Sequence, residues 1–131
     1  MPREWCLVTR SPLNGLSLLV VEDQPLVAMD IAQAFEIAGA HITNTNTLRH
    51  AMILAEHDGL SGAILDHSLG DGSSQQLYAR LKERGIPFMV YSGYTRHDGI
   101  PEGVPLIMKP ASHEQLVAAM EELVKANPRR V

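Results

Sequence analysis

Leu18-Leu19-Val20-Val21-Glu22-Asp23, residues 18–23, decides how this chain is read. Four apolar residues without a polar break are what a strand buried on both faces shows, and such strands belong to parallel sheets. The run stops at two carboxylates. Ala63-Ile64-Leu65 repeats the pattern, stopping at Asp66 ahead of Gly70-Asp71-Gly72. Farther on, Met89-Val90-Tyr91 ends at Ser92-Gly93, and Leu106-Ile107-Met108 ends at Lys109-Pro110. Four strand ends therefore carry an acid pair, one acid, one hydroxyl and one lysine. Carboxylates gathered at one sheet edge repel each other, and holding them together is costly unless a cation or a reaction uses them.

Working outward, helices separate these strands. Asp23 is the candidate cap of a first helix opened by Pro25, with Val27, Ile31, Ala34, Phe35 and Ala38 at helical spacing and Gly39 at its end. A weaker strand covers about His41 to Asn44. Thr47 is the candidate cap of a second helix carrying Leu48, Ala51, Met52 and Ala55, closed by Asp58-Gly59. A third helix runs from about Ser74 to Arg84, before Gly85. The stretch from Tyr94 to Gly103 contains Gly99, Pro101 and Gly103, so a shortened or irregular fourth helix is expected there. Ser112 with Gln115 forms a capping box for a last helix with Leu116, Ala119, Met120 and Leu123 on its stripe.

Alternating strands and helices imply an α/β fold, a doubly wound five-stranded parallel sheet with helices on both faces. In such sheets the site lies beyond the carboxyl ends of the strands, where strand order reverses. Residues 1–15, with Pro2, Pro12 and Asn14-Gly15, read as an extension; 16–126 read as one domain and 127–131 as a tail.

Composition bounds the function. The chain has 131 residues, 45% hydrophobic and 20% charged, with a net charge of −4, which fits one globular domain rather than disorder. Its basic residues are scattered apart from Arg129-Arg130, so direct nucleic-acid binding is not expected. Cys6 stands alone, which excludes an intramolecular disulfide or a cysteine metal cluster. No run has membrane-spanning length and the N-terminus lacks a signal-peptide core, so a cytoplasmic protein is expected.

Carboxylates without thiolates favour a hard cation, and Mg²⁺ suits two or three oxygens plus water. A lysine and a hydroxyl beside it offer charge and a hydrogen bond to a tetrahedral oxyanion. With a carboxylate nucleophile, phosphoryl transfer onto aspartate is the natural reaction.

Val20-Val21-Glu22-Asp23, the strand to Asp66, Ser92-Gly93-Tyr94 and Lys109-Pro110 together resemble the receiver domain of two-component response regulators, over about residues 16–126. The loop from Leu65 to Gly72 and the phrase Gly85-Ile86-Pro87-Phe88 are most similar to stand-alone alphaproteobacterial receivers. The resemblance implies a flavodoxin-like (βα)5 fold of strand order 2-1-3-4-5. It implies Asp66 as phosphoacceptor, served by a sensor histidine kinase or phosphotransfer protein, with slow autodephosphorylation at most and no enzymatic turnover. Asp23 and Asp66 would bind Mg²⁺ directly, Glu22 through water, and Ser68 through its backbone carbonyl. Ser92 and Lys109 would meet phosphoryl oxygens, and a cis peptide would precede Pro110.

Some positions depart from the family pattern. Leu106 stands where many receivers place an aromatic switch residue, leaving Tyr94 as the nearest substitute. Gly70 and Gly72 shape the loop after the acceptor, Ala111 follows Lys109-Pro110 where an aromatic is common, and Gly99 and Pro101 alter the customary output face. His67 reads as a solvent-edge loop residue. Only residues 127–131 follow the last helix, so the expected protein is a single-domain regulator. It would act by phosphorelay, as a phosphate sink, or on an unknown downstream protein. A degenerate receiver that binds partners without phosphorylation is the alternative. An aspartyl phosphatase would want an acid where Ser68 stands, and a flavin site would want more aromatic residues.

Overall fold

The computed structural model describes residues 11–69, 72–93 and 100–127, and the side chains of all of these except 68, 69, 72 and 73. Strands β1 (Ser17–Val21), β2 (His41–Thr45), β3 (Gly62–Leu65), β6 (Phe88–Ser92) and β7 (Leu106–Met108) form one sheet. Its order is β2-β1-β3-β6-β7 with every pairing parallel, the 2-1-3-4-5 arrangement. Helices α1 (Pro25–Ile37), α2 (Leu48–Leu54), α3 (Gln75–Glu83) and α4 (His113–Ala126) cover it.

Alternation along the strands divides the core in two. Leu18 and Val20 of β1, with Ile64 and Met89, pack beneath α1 and α4 against Ile31, Phe35, Leu116 and Met120. Leu19 and Val21, with Ala63, Leu65, Phe88 and Val90, pack beneath α2 and α3 against Leu48, Ala51, Leu77, Tyr78 and Leu81. Burial on both faces is why β1, β3 and β6 read as unbroken apolar runs. Edge strand β2 is covered less: His41, Thr43 and Asn44 are exposed, which explains its weak pattern. At the surface Arg80 of α3 pairs both oxygens of Glu56, just past the end of α2, at 2.6 Å.

The capping signals at Thr47 and Ser112 are both realised. Thr47 accepts from His50 N–H, and Ser112 and Gln115 exchange both bonds of the capping box. Asp23 does not cap α1: Gln24 holds that position without a side-chain bond, and its N–H donates instead to Glu22 Oε2 at 3.1 Å. A short antiparallel pair, β4 (Ser68–Leu69) with β5 (Gly72–Ser73), follows β3 where the sequence suggested only a loop. Residues 94–99, including Tyr94 and Gly99, lie outside the described residues, and 100–104 contain no helix.

Residues 11–15 turn back under α1. Leu13 is wholly buried and its N–H donates to the Ala38 carbonyl at 2.9 Å. This turn needs Gly39, whose φ is +102° and whose missing Cβ would stand 2.8 Å from Ser11 Cβ and 3.0 Å from Asn14 Cα. Gly39→Ala is expected to destabilise the protein by about 2 kcal/mol, through strained backbone and steric overlap together. Urea unfolding checks this; an unchanged midpoint would refute the close approach.

Candidate functional site

The strand order reverses between β1 and β3, and the acids stand there, at the carboxyl ends. Each ladder runs one residue past its strand, so these groups are placed by rigid backbone. Glu22 N–H donates to Thr45 C=O at 3.1 Å, Asp66 N–H to Val21 C=O at 2.8 Å, and Lys109 N–H to Ser92 C=O at 2.8 Å. One carboxylate oxygen from each of Glu22, Asp23 and Asp66 lies within 4.8 Å of the others.

Lys109 enters this cluster from β7 across the sheet. Its Nζ is 3.0 Å from Glu22 Oε1 and 3.9 Å from Asp66 Oδ2. Glu22 is buried, its side chain 1% exposed, and both of its oxygens are engaged, one by Lys109 and one by Gln24 N–H. Among the described residues three carboxylates thus share one ammonium, an imbalance that favours a further cation. All the donors are hard oxygens, the set that suits Mg²⁺ rather than a softer metal. Tyr91 seats the lysine: Nζ lies 5.6 Å from its ring centroid, and its hydroxyl accepts from Ala111 N–H at 2.9 Å. The Lys109-Pro110 peptide is cis, in agreement with the motif.

Ser92 ends β6, is 2% exposed, and stands at the same carboxyl edge of the sheet as Lys109, which follows the neighbouring strand β7. Ser68 begins β4 two residues beyond Asp66, so its backbone belongs to the acceptor loop. Leu106 packs with Ile100 and Val104 against the α2/α3 side of the core, so an aliphatic contact replaces the aromatic. A cleft of about 330 Å³, lined by Glu22, Asp23, Met29, Asn44 and His50 among others, opens beside the acids.

His67 lies in the loop after β3, half-buried, and has a partner that the sequence did not suggest. Its Nδ1 lies 2.7 Å from the Tyr78 hydroxyl, and its ring stacks on Tyr78 with centroids 5.9 Å apart. Ser74, wholly buried, donates from Oγ to the Asp66 carbonyl at 2.6 Å. Ser74, Tyr78 and Tyr91 escaped the motif reading because, in sequence, they look like a cap and two core residues. The signal that could have marked Ser74 is a hydroxyl eight positions past Asp66. Among the described residues, no histidine joins the acidic group.

No family model and no curated protein matches the sequence. Solved structures do match. The chain is similar to a response regulator receiver protein from Sinorhizobium medicae, with TM-score 0.79 and 18% identity over 86% of this chain and 96% of that one. A receiver domain of a sensor histidine kinase from Pseudomonas aeruginosa, with magnesium coordinated in its active site cleft, gives 0.76 and 17% over 85% and 98%. A response regulator protein from Burkholderia pseudomallei with a phosphorylated aspartic acid and a calcium ion gives 0.72 and 24% over 85% and 71%. The chain has the receiver fold.

Proposed function

We propose that this receiver-fold chain is a response regulator that accepts a phosphoryl group on Asp66 from a phosphohistidine of a sensor kinase or phosphotransfer protein. The observation that carries the reading is Asp66 at the strand-order reversal, with Lys109 Nζ 3.9 Å from Oδ2 and two further carboxylates within 4.8 Å. An Asp66 oxygen attacks phosphorus in line, the P–N bond breaks, and the donor imidazole leaves with the electron pair. Glu22, Asp23, Asp66 and the Ser68 carbonyl would hold Mg²⁺, which supplies charge compensation for the phosphoryl oxygens. Lys109 turns from Glu22 toward one phosphoryl oxygen, and the Ser92 hydroxyl donates to another.

Met29 lines the cleft that Glu22 and Asp23 share, and Leu26 lies beside it, 79% exposed. These α1 side chains offer a donor protein an apolar foothold next to the acceptor. Output passes through protein contact, relay or phosphate storage, not through turnover of a substrate. Among the described residues no helix is long and apolar enough to cross a membrane, and a cytoplasmic location would suit exchange with a kinase.

Metal binding tests the site directly. At about millimolar affinity, tenfold excess Mg²⁺ would stabilise the fold by about 1.4 kcal/mol. Asp23→Ala is expected to remove most of that gain in a thermal titration, and Glu22→Gln less of it. Equal responses in wild type and Asp23→Ala would contradict the ligand set.

A further inference from the structure

Helix α3 grips the acceptor peptide from beneath. Ser74 stands at its N-cap yet makes no side-chain cap bond. A serine there ordinarily accepts from the first turn, a bond worth about 1 kcal/mol to a helix. Here the hydroxyl is turned the other way, donating to the Asp66 carbonyl at 2.6 Å, while Ser74 N–H donates to the His67 carbonyl at 3.1 Å. One turn later the Tyr78 hydroxyl reaches His67 Nδ1 at 2.7 Å. Tyr78 is fixed in turn, since its ring stacks between His67 and Phe88 with centroids 5.9 and 5.4 Å away. Three hydrogen bonds from two buried residues thus hold both carbonyls and the side chain that flank the reacting carboxylate.

We propose that Ser74 and Tyr78 are positioning residues for phosphoryl transfer, setting the plane of the Asp66–His67 peptide and hence the direction of the Asp66 carboxylate. The inference rests on Asp66 being the acceptor. Neither residue touches the phosphoryl group. Each acts through the backbone or through His67. In-line attack depends steeply on orientation, so a carboxylate free to rock on a loosened peptide reacts more slowly. Burial pushes the Tyr78 hydroxyl well above its ordinary value, the Ser74 hydrogen bond opposes that rise, and the Asp66 charge adds to it. The phenol therefore keeps its proton and stays uncharged beside His67.

The test compares wild type, Tyr78→Phe, His67→Ala, His67→Asn and the Tyr78→Phe/His67→Ala double variant, using acetyl phosphate at saturating Mg²⁺. Tyr78→Phe keeps the ring stack and removes one oxygen. His67→Asn keeps a polar atom near the place of Nδ1. The rate of acyl-phosphate formation is expected to fall about tenfold in Tyr78→Phe and in His67→Ala, with the double variant no slower than either. His67→Asn should recover most of the rate. Thermal midpoints should not follow this order, which separates positioning from lost stability. Should Tyr78→Phe not fold, the two His67 variants decide alone. If wild type is phosphorylated and His67→Ala and Tyr78→Phe match its rate, the positioning role is overturned while Asp66 stands. If wild type takes no phosphoryl group at all, the acceptor reading itself fails and this inference falls with it.

Discussion

Asp66→Asn is expected to abolish phosphoryl acceptance and, without metal, to make the protein more stable rather than less. Asp66, Glu22 and Asp23 bring oxygens within 4.8 Å of one another, and the nearby ammonium of Lys109 is closer to Glu22 than to Asp66. Two like charges at such a separation repel by about 3 kcal/mol at an effective dielectric of 20. Loss of the 3.9 Å attraction to Lys109 and solvent screening offset much of this relief, leaving about 1 kcal/mol of net stabilisation. That corresponds to a thermal midpoint higher by about 4 °C. The same substitution should reduce the stabilisation that Mg²⁺ gives. A variant that is less stable than wild type in chelator would show that Asp66 is held by attraction instead, and the repulsive cluster would be wrong.

Lys109→Ala should have the second large effect, of opposite sign. Its loss leaves Glu22, with a side chain 1% exposed, holding a buried charge opposite, among the described residues, one backbone N–H. Removing one partner of a buried pair costs about 3–5 kcal/mol, and the partial exposure of Lys109 lowers this to about 3. Urea unfolding measures it. Adding Glu22→Gln should restore most of the stability, because the orphaned charge is gone, without restoring a response to phosphorylation. A double variant as unstable as Lys109→Ala would assign the loss to packing on Tyr91 instead of to the ion pair.

What the sequence shows depends on the distance over which a cause acts. The apolar run of β1 and its stop at Glu22-Asp23 are local, so strand and acids are visible together. The same holds for Asp66 after β3 and Lys109 after β7. Edge strand β2 is fainter because three of its five residues face outward. The β4–β5 pair is two residues long on each side and leaves no period to detect. Asp23 was a plausible cap by type, but Glu22 takes the Gln24 N–H, leaving Asp23 to the acid cluster. Partnerships formed by folding are the hidden part. Glu22 meets Lys109 across 87 positions, and Tyr91 looks like any strand residue until its hydroxyl is seen on Ala111 N–H. His67 is the loop residue it reads as, but Tyr78, eleven positions on, carried no sign of facing it.

The proposed role of Asp66 is to accept a phosphoryl group in a metal-dependent reaction. Intact-mass measurement after incubation with acetyl phosphate, with Mg²⁺ or with chelator, followed by fragmentation to locate the group, tests it most directly. The expected result is the mass gain of a single phosphoryl group, on Asp66, only when Mg²⁺ is present. No gain under conditions where Mg²⁺ demonstrably binds, or an equal gain in Asp66→Asn, would contradict it.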